Sequence, residues 1–145
     1  MTRILLDVNE PIFDRYRAMF TLREIYTEES CIAVCQALLP ENFEKCTPLL
    51  KHEVSFVLAQ MEKVYHVAVP YLMAVVQDER EAAIVKHESL VGIGEMIDDK
   101  SLIEFLLDHP DPIVSQTCEV AINNIKNRLA EEAEWEARQK AQECD

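Results

Sequence analysis

The sequence contains few residues that form turns. Glycine occurs only twice in 145 residues, while apolar residues make up 49% of the chain. This composition favours helices over a turn-rich β architecture. The length suits one domain of ordinary size with a real core. Composition therefore predicts an all-α fold.

Positive charge is scarce as well. The chain has 14 basic residues against 27 acidic ones, which gives a net charge of −13. We expect no nucleic-acid partner, because the phosphate backbone would be repelled. Basic peptides or polyamine-like groups would be attracted, although an acidic surface also serves solubility alone.

The sequence lacks an apolar run long enough to span a bilayer, and it lacks an N-terminal secretory signal. We therefore expect a cytoplasmic protein without membrane contact, whose thiols stay reduced. None of the cysteines forms a Cys-x-x-Cys pair, and their number is odd. Cys31 and Cys35, one helical turn apart, are expected to be buried thiols. The full set is Cys31, Cys35, Cys46, Cys118 and Cys144.

Four related segments recur along the chain, and each has the pattern of an amphipathic helix. They begin at Phe13, Leu49, Ile84 and Ile113, and their corresponding positions are 36, 35 and 29 residues apart. Shorter apolar stretches lie between them, at 29–39, 67–77 and 101–107, with a stub at 4–7. Two helices per repeat are typical of an α-solenoid, here of about four HEAT-like helical hairpins covering residues 1–126.

Residues 127–145 are predicted to form a charged helical extension or a solvated tail. From Glu131 onward this segment carries six acidic residues against two basic ones. Trp135 is its one large aromatic residue and is expected to pack back onto the body. The segment is assigned no chemistry.

One tripeptide occurs twice, as Lys51-His52-Glu53 and Lys86-His87-Glu88. At ~100° per residue, the histidines fall roughly opposite the apolar stripe of their helices, and the glutamates lie at its edge. In the second repeat the stripe is Leu50, Val54, Val57 and Met61. Both histidines are therefore predicted to lie outside the core.

The four polar side chains of these tripeptides are candidate metal ligands. Neighbouring solenoid helices pack ~8–10 Å apart, so long side chains from equivalent positions can meet. Two histidines and one carboxylate form the ligand set of non-haem iron sites with open coordination positions. Spacing alone leaves open which of Glu53 and Glu88 is a ligand, and it excludes neither zinc nor an exposed polar face without metal. The candidates are His52, Glu53, His87 and Glu88.

The repeat segments resemble the second, C-terminal half of deoxyhypusine hydroxylases. The resemblance covers roughly residues 5–125. It is carried by the run from Arg15 to Phe20 with Leu22-Arg23, by the contexts of His52 and His87, and by Cys118-Glu119-Val120-Ala121. Val91 and Ala59 depart from the family pattern, which usually has an acidic residue and a glycine there.

The resemblance implies a di-iron monooxygenase that hydroxylates the deoxyhypusine side chain of translation initiation factor 5A. It implies that His52, His87 and Glu88 bind iron. Glu53 would lie beside the metal and engage the cationic amine of the substrate as a catalytic and substrate-binding residue. Family members carry two halves and four His-Glu motifs, whereas this chain has two motifs. One half would hold one of two irons, so a homodimer or a missing N-terminal half would complete the site.

Two other hypotheses remain open from the sequence. One is a non-enzymatic HEAT-like adaptor whose concave face binds a peptide. The other is a structural zinc site, which would lower thermal stability on chelation.

Overall fold

The computed structural model describes residues 1–143, and this part of the chain contains helices and no strand, as composition predicted. The α-helices are α1 (Thr2–Leu6), α2 (Ile12–Ile25), α3 (Glu28–Cys35), α4 (Pro48–Gln60), α5 (Val69–Gln77), α6 (Ala83–Met96) and α7 (Pro112–Glu143). Short 3-10 helices span Gln36–Leu38, Pro40–Lys45, Glu62–Val67, Lys100–Leu102 and Glu104–Asp108. Cys144 and the last residue of the predicted extension lie outside the described residues.

The helices form two layers of a solenoid. Helices α2, α4, α6 and α7 pack side by side in chain order, and they are the four segments related by the sequence repeat. Helices α1, α3 and α5 form the second layer, together with the 3-10 helices of residues 100–108. The predicted α-solenoid of about four hairpins is therefore confirmed, with 3-10 helices replacing the first α-helix of the last repeat.

Helices α4 and α7 begin where the sequence provides capping groups. The hydroxyl of Thr47 accepts the backbone N–H of Leu50 at 3.3 Å at the start of α4. At the start of α7, the carboxylate of Asp111 accepts the backbone N–H of Ile113 at 2.9 Å. These side chains pair N–H groups that have no partner within the helix.

The apolar stripes predicted from the repeat form the core. In the second repeat all four stripe residues are 0% exposed, and in α7 the equivalent residues Val114, Cys118, Ala121 and Ile125 are also buried. Cys31 and Cys35 are buried as free thiols, as expected. No helix in residues 1–143 is both long and apolar enough to cross a membrane.

Glycine at position 94 allows a close approach between α6 and α7. A Cβ atom at Gly94 would lie 2.7 Å from the Cβ of Ala121 and 3.0 Å from its Cα, closer than real contacts allow. The helix backbones can pack at this separation only because position 94 lacks a side chain.

Helix α7 continues beyond the last repeat to Glu143 as one helix of 32 residues. Its final turns are exposed, and Trp135 keeps 60% of its surface accessible. The expectation that Trp135 packs back onto the body is therefore wrong, because the continuous helix carries it away from the repeats.

Candidate metal centre

The two tripeptides lie on neighbouring helices, α4 and α6, at equivalent positions of consecutive repeats. The His52 side chain is 27% exposed, and His87 is exposed, so both lie outside the core as predicted. The lysines of the same tripeptides are buried, with Lys51 at 2% and Lys86 at 5% exposure. In both copies of the tripeptide the lysine is therefore buried and the histidine lies outside the core.

His52 is the centre of the cluster. Its Nε2 lies 3.3 Å from a carboxylate oxygen of Glu88 in α6, and its Nδ1 lies 3.8 Å from a carboxylate oxygen of Glu53. The Nδ1 atom is buried and has no hydrogen-bond partner among residues 1–143. Three of the four candidate ligands therefore lie together.

His87 is oriented by the next helix. Its Nδ1 lies 3.0 Å from the hydroxyl of Thr117 in α7. Long side chains of the two copies meet, and the observed contact joins His52 to Glu88, one position beyond the equivalent residue. Thr117 was not among the residues identified from the sequence, although it stands at the Glu position of the fourth repeat.

Helical geometry explains this arrangement. Consecutive residues are ~100° apart around a helix, so a histidine and the glutamate after it lean toward opposite neighbours. His52 leans toward α6, where it contacts Glu88, and His87 leans toward α7, where it contacts Thr117. Each histidine thus contacts the side chain one position further along in the next repeat.

Tyr16 and Glu53 extend the same relationship to the first repeat, where Tyr16 occupies the histidine position. Burial raises the pKa of Tyr16, and the negative charge of Glu53 raises it further. The Tyr16 hydroxyl therefore lies close enough to Glu53 to be influenced by its charge.

The donor atoms suit a metal ion in chemistry, although within residues 1–143 no group of three or more His, Cys, Asp or Glu side chains is arranged to enclose one. Ligand atoms about 2.1 Å from one ion lie about 3.0–3.4 Å from each other. The 3.3 Å between His52 Nε2 and Glu88 falls in this range. Thr117 holds the Nδ1 of His87, which leaves Nε2 for a ligand, and a metal-binding histidine usually has such a partner. The pair His52–Glu88 therefore has the separation of two ligands of one ion, and His87 has a free Nε2.

Several deoxyhypusine hydroxylases are similar to this chain in sequence. That of Candida albicans is 36% identical over 137 residues, covering 93% of this chain and 41% of that protein. That of Dictyostelium discoideum is 42% identical over 120 residues, covering 81% of this chain and 36% of that protein. No sequence model of a protein family matches the chain.

A solved structure agrees with the sequence comparison. Human deoxyhypusine hydroxylase in complex with glycerol superposes with a TM-score of 0.75 at 31% identity, covering 90% of this chain and 44% of that one. The chain is a relative of the deoxyhypusine hydroxylases. It spans about two-fifths of the length of the curated relatives it matches, so it corresponds to one half of a deoxyhypusine hydroxylase.

Proposed function

We propose that this chain is one half of an iron-dependent protein hydroxylase, in which His52, His87 and Glu88 hold one iron. The observation that carries the proposal is the contact of His52 Nε2 with Glu88 at 3.3 Å across α4 and α6. It joins the two His-Glu motifs on one face of neighbouring helices. Imidazole nitrogens and a carboxylate oxygen are the donors of non-haem iron oxygenases.

The proposed substrate is the deoxyhypusine side chain of translation initiation factor 5A. Iron, when bound, would supply activation of dioxygen, so that one oxygen atom enters a C–H bond and the other leaves as water, with two electrons from an external reductant and two protons from solvent. The kinship with deoxyhypusine hydroxylases supports this substrate. The net charge of −13 agrees with a cationic side chain.

Glu53 is proposed to bind the amine of the substrate. Its side chain is 30% exposed, and it lies 3.8 Å from the ring of His52, so an ammonium group paired with it would lie next to the metal ligands. Glu53 thus positions the substrate, while its neighbours hold the metal.

A second copy of the chain, or a separate other half, is proposed to complete a site with two irons. Large apolar side chains remain exposed on the same face, one turn before or after the histidine position of α4, α6 or α7. Leu49 is 61% exposed, Phe56 47%, Ile84 47% and Val120 60%. Such a patch is typical of a surface that another protein covers. A two-fold interface would place identical ligand sets opposite each other.

The same apolar face also suits the non-enzymatic adaptor, which would use it to bind a peptide. Metal content separates the two functions. We expect protein purified without chelator to hold about one iron per chain, and His52→Ala to lose it. The control is His66→Ala. It removes an exposed histidine of the 3-10 helix Glu62–Val67, which pairs with Glu28 and is not one of the candidate ligands. Equal metal content in wild type and His52→Ala would favour the adaptor.

A further inference from the structure

The lysine of the first tripeptide has no role in the proposed chemistry, yet it is among the most buried charged groups of the protein. Lys51 is 2% exposed, and its Nζ donates to a carboxylate oxygen of Glu81 at 2.9 Å. The Glu81 side chain is itself only 3% exposed. A buried ion pair contributes little net stability over apolar side chains of the same size, because both charges lose their hydration. Net stability alone therefore does not account for this pair.

Lys51 joins three separate parts of the chain. Its own helix is α4, and its partner Glu81 lies just before α6, where the second carboxylate oxygen accepts the backbone N–H of Ala82 at 3.2 Å. The ammonium group also lies 4.0 Å from the ring centroid of Phe43, which belongs to the 3-10 helix Pro40–Lys45. The guanidinium of Arg80 stacks over the same ring at 4.5 Å. Lys51 thus fixes the start of α6 against α4.

One turn further along, a second polar contact joins the same two helices. The hydroxyls of Ser55 and Ser89 are 3.2 Å apart in the core. Each also lies within hydrogen-bond distance of the backbone carbonyl four residues earlier in its own helix, which can accept its proton. These side chains are 2% and 1% exposed. Apolar surfaces can slide past each other with little loss, whereas paired polar groups fix the axial register.

We propose that Lys51 is a positioning residue for the metal centre, acting through its ion pair with Glu81. Because His52 directly follows Lys51 on α4, a rotation or translation of α4 against α6 changes the distance between His52 and Glu88. That a metal binds here rests on the proposed function. That Lys51 fixes α4 against α6 rests only on the buried contacts. The second lysine, Lys86, is also buried but has no ion pair in residues 1–143, so the two copies of the tripeptide are not equivalent.

The test separates positioning from stability. Lys51→Met alone leaves Glu81 buried and unpaired, so its Tm should fall. The double variant Lys51→Met/Glu81→Gln removes both charges and keeps an acceptor for the N–H of Ala82, so its Tm should recover. Affinity is measured by titration with Co²⁺, whose visible spectrum also reports coordination. We expect the double variant to bind Co²⁺ about tenfold or more weaker than wild type despite its recovered Tm.

Recovery of affinity together with Tm would overturn the proposal. If the double variant stays destabilised, it is compared with Leu5→Ala, a cavity variant in α1, which packs mainly on α2. At matched Tm, a loss of affinity at least tenfold larger than in Leu5→Ala supports positioning, and an equal loss refutes it.

If wild type binds no metal, the proposed function fails, and crystal structures of the metal-free proteins decide the inference. A His52–Glu88 contact kept at 3.3 Å in the double variant would refute it, and a lost contact would support it.

Discussion

The carboxylate of Glu88 lies 3.3 Å from the Nε2 of His52, across the boundary between two repeats. Each residue belongs to a different copy of the same tripeptide, so the contact exists only because the copies lie on adjacent helices. It brings one imidazole and one carboxylate to the separation that ligands of a single ion have. The repeat thereby brings together two candidate ligands that are 36 positions apart in the sequence.

Glu88→Gln should weaken metal binding by about tenfold or more, because a neutral amide is a poorer ligand than a carboxylate. The fold should be little affected, since the Glu88 side chain is 19% exposed and Gln has the same shape. The measurement is metal affinity by competition with a chromophoric chelator. Glu95→Gln, an exposed residue of the same helix, is the matched control. Equal affinities in the two variants would remove Glu88 from the ligand set.

Thr117→Val should loosen the orientation of His87, because it replaces the hydroxyl that lies 3.0 Å from Nδ1 with a methyl group of similar size. We expect metal affinity to fall about tenfold, as is typical for loss of a partner of a metal-binding histidine. Thr21→Val in α2 removes an exposed hydroxyl and serves as control. Affinity within twofold of the control would show that His87 is not held by Thr117.

Gly94→Ala should destabilise the protein, although alanine is the better helix former by about 1 kcal/mol. The added Cβ would lie 2.7 Å from the Cβ of Ala121, and overpacking of this kind costs about 1–3 kcal/mol. The overpacking therefore outweighs the gain in propensity. Urea denaturation measures the change, and Ala121→Gly in the same background should restore part of the loss. A Gly94→Ala protein more stable than wild type would show that α6 and α7 are not in close contact.

Stability should fall as the pH rises from about 9 to about 11, in part because of one thiol. Burial, with a smaller effect of Glu104, raises the pKa of Cys118 from 9.0 to about 11. Between these values the folded protein keeps a proton that the unfolded chain has lost, so unfolding becomes more favourable as pH rises. Below about pH 9 the contribution of Cys118 is complete, and above about pH 11 it is lost.

Denaturation by urea at several alkaline pH values checks this prediction. Cys118→Ala should show a shallower fall in the free energy of unfolding between pH 9 and pH 11 than wild type does. Val114→Ala, a buried truncation in the same helix, should keep the wild-type slope. Parallel pH profiles for wild type and Cys118→Ala would contradict the raised pKa.

Much of the fold could be predicted because the same helix pattern recurs within the chain. Four copies of one amphipathic pattern predict the four helices that pack side by side, and Thr47 and Asp111 mark two of their starts. Residues 101–107 were expected to be another helix, but this stretch is short and forms 3-10 turns between Asp99 and Pro110. Length alone does not decide this outcome, because the five-residue α1 is an α-helix, and the apolar pattern of a short segment does not distinguish an α-helix from 3-10 turns.

The site was predicted less completely than the fold. Periodicity places His52 and His87 outside the core, but it does not give the offset between neighbouring helices. That offset makes His52 contact Glu88, and it makes His87 contact Thr117. It depends on three-dimensional packing such as the Ser55–Ser89 contact at 3.2 Å. The ion pair of Lys51 with Glu81 was missed for the same reason, since lysine on a helix is ordinarily exposed.

Native mass spectrometry of protein purified without chelator tests the central claim most directly, because it measures the mass of the assembly and its iron content together. We predict a dimer of the 16.7 kDa chain that carries about two irons. The matched His52→Ala protein should carry no iron. A metal-free monomer in wild type, with the same oligomeric state and the same metal content as His52→Ala, would contradict the account.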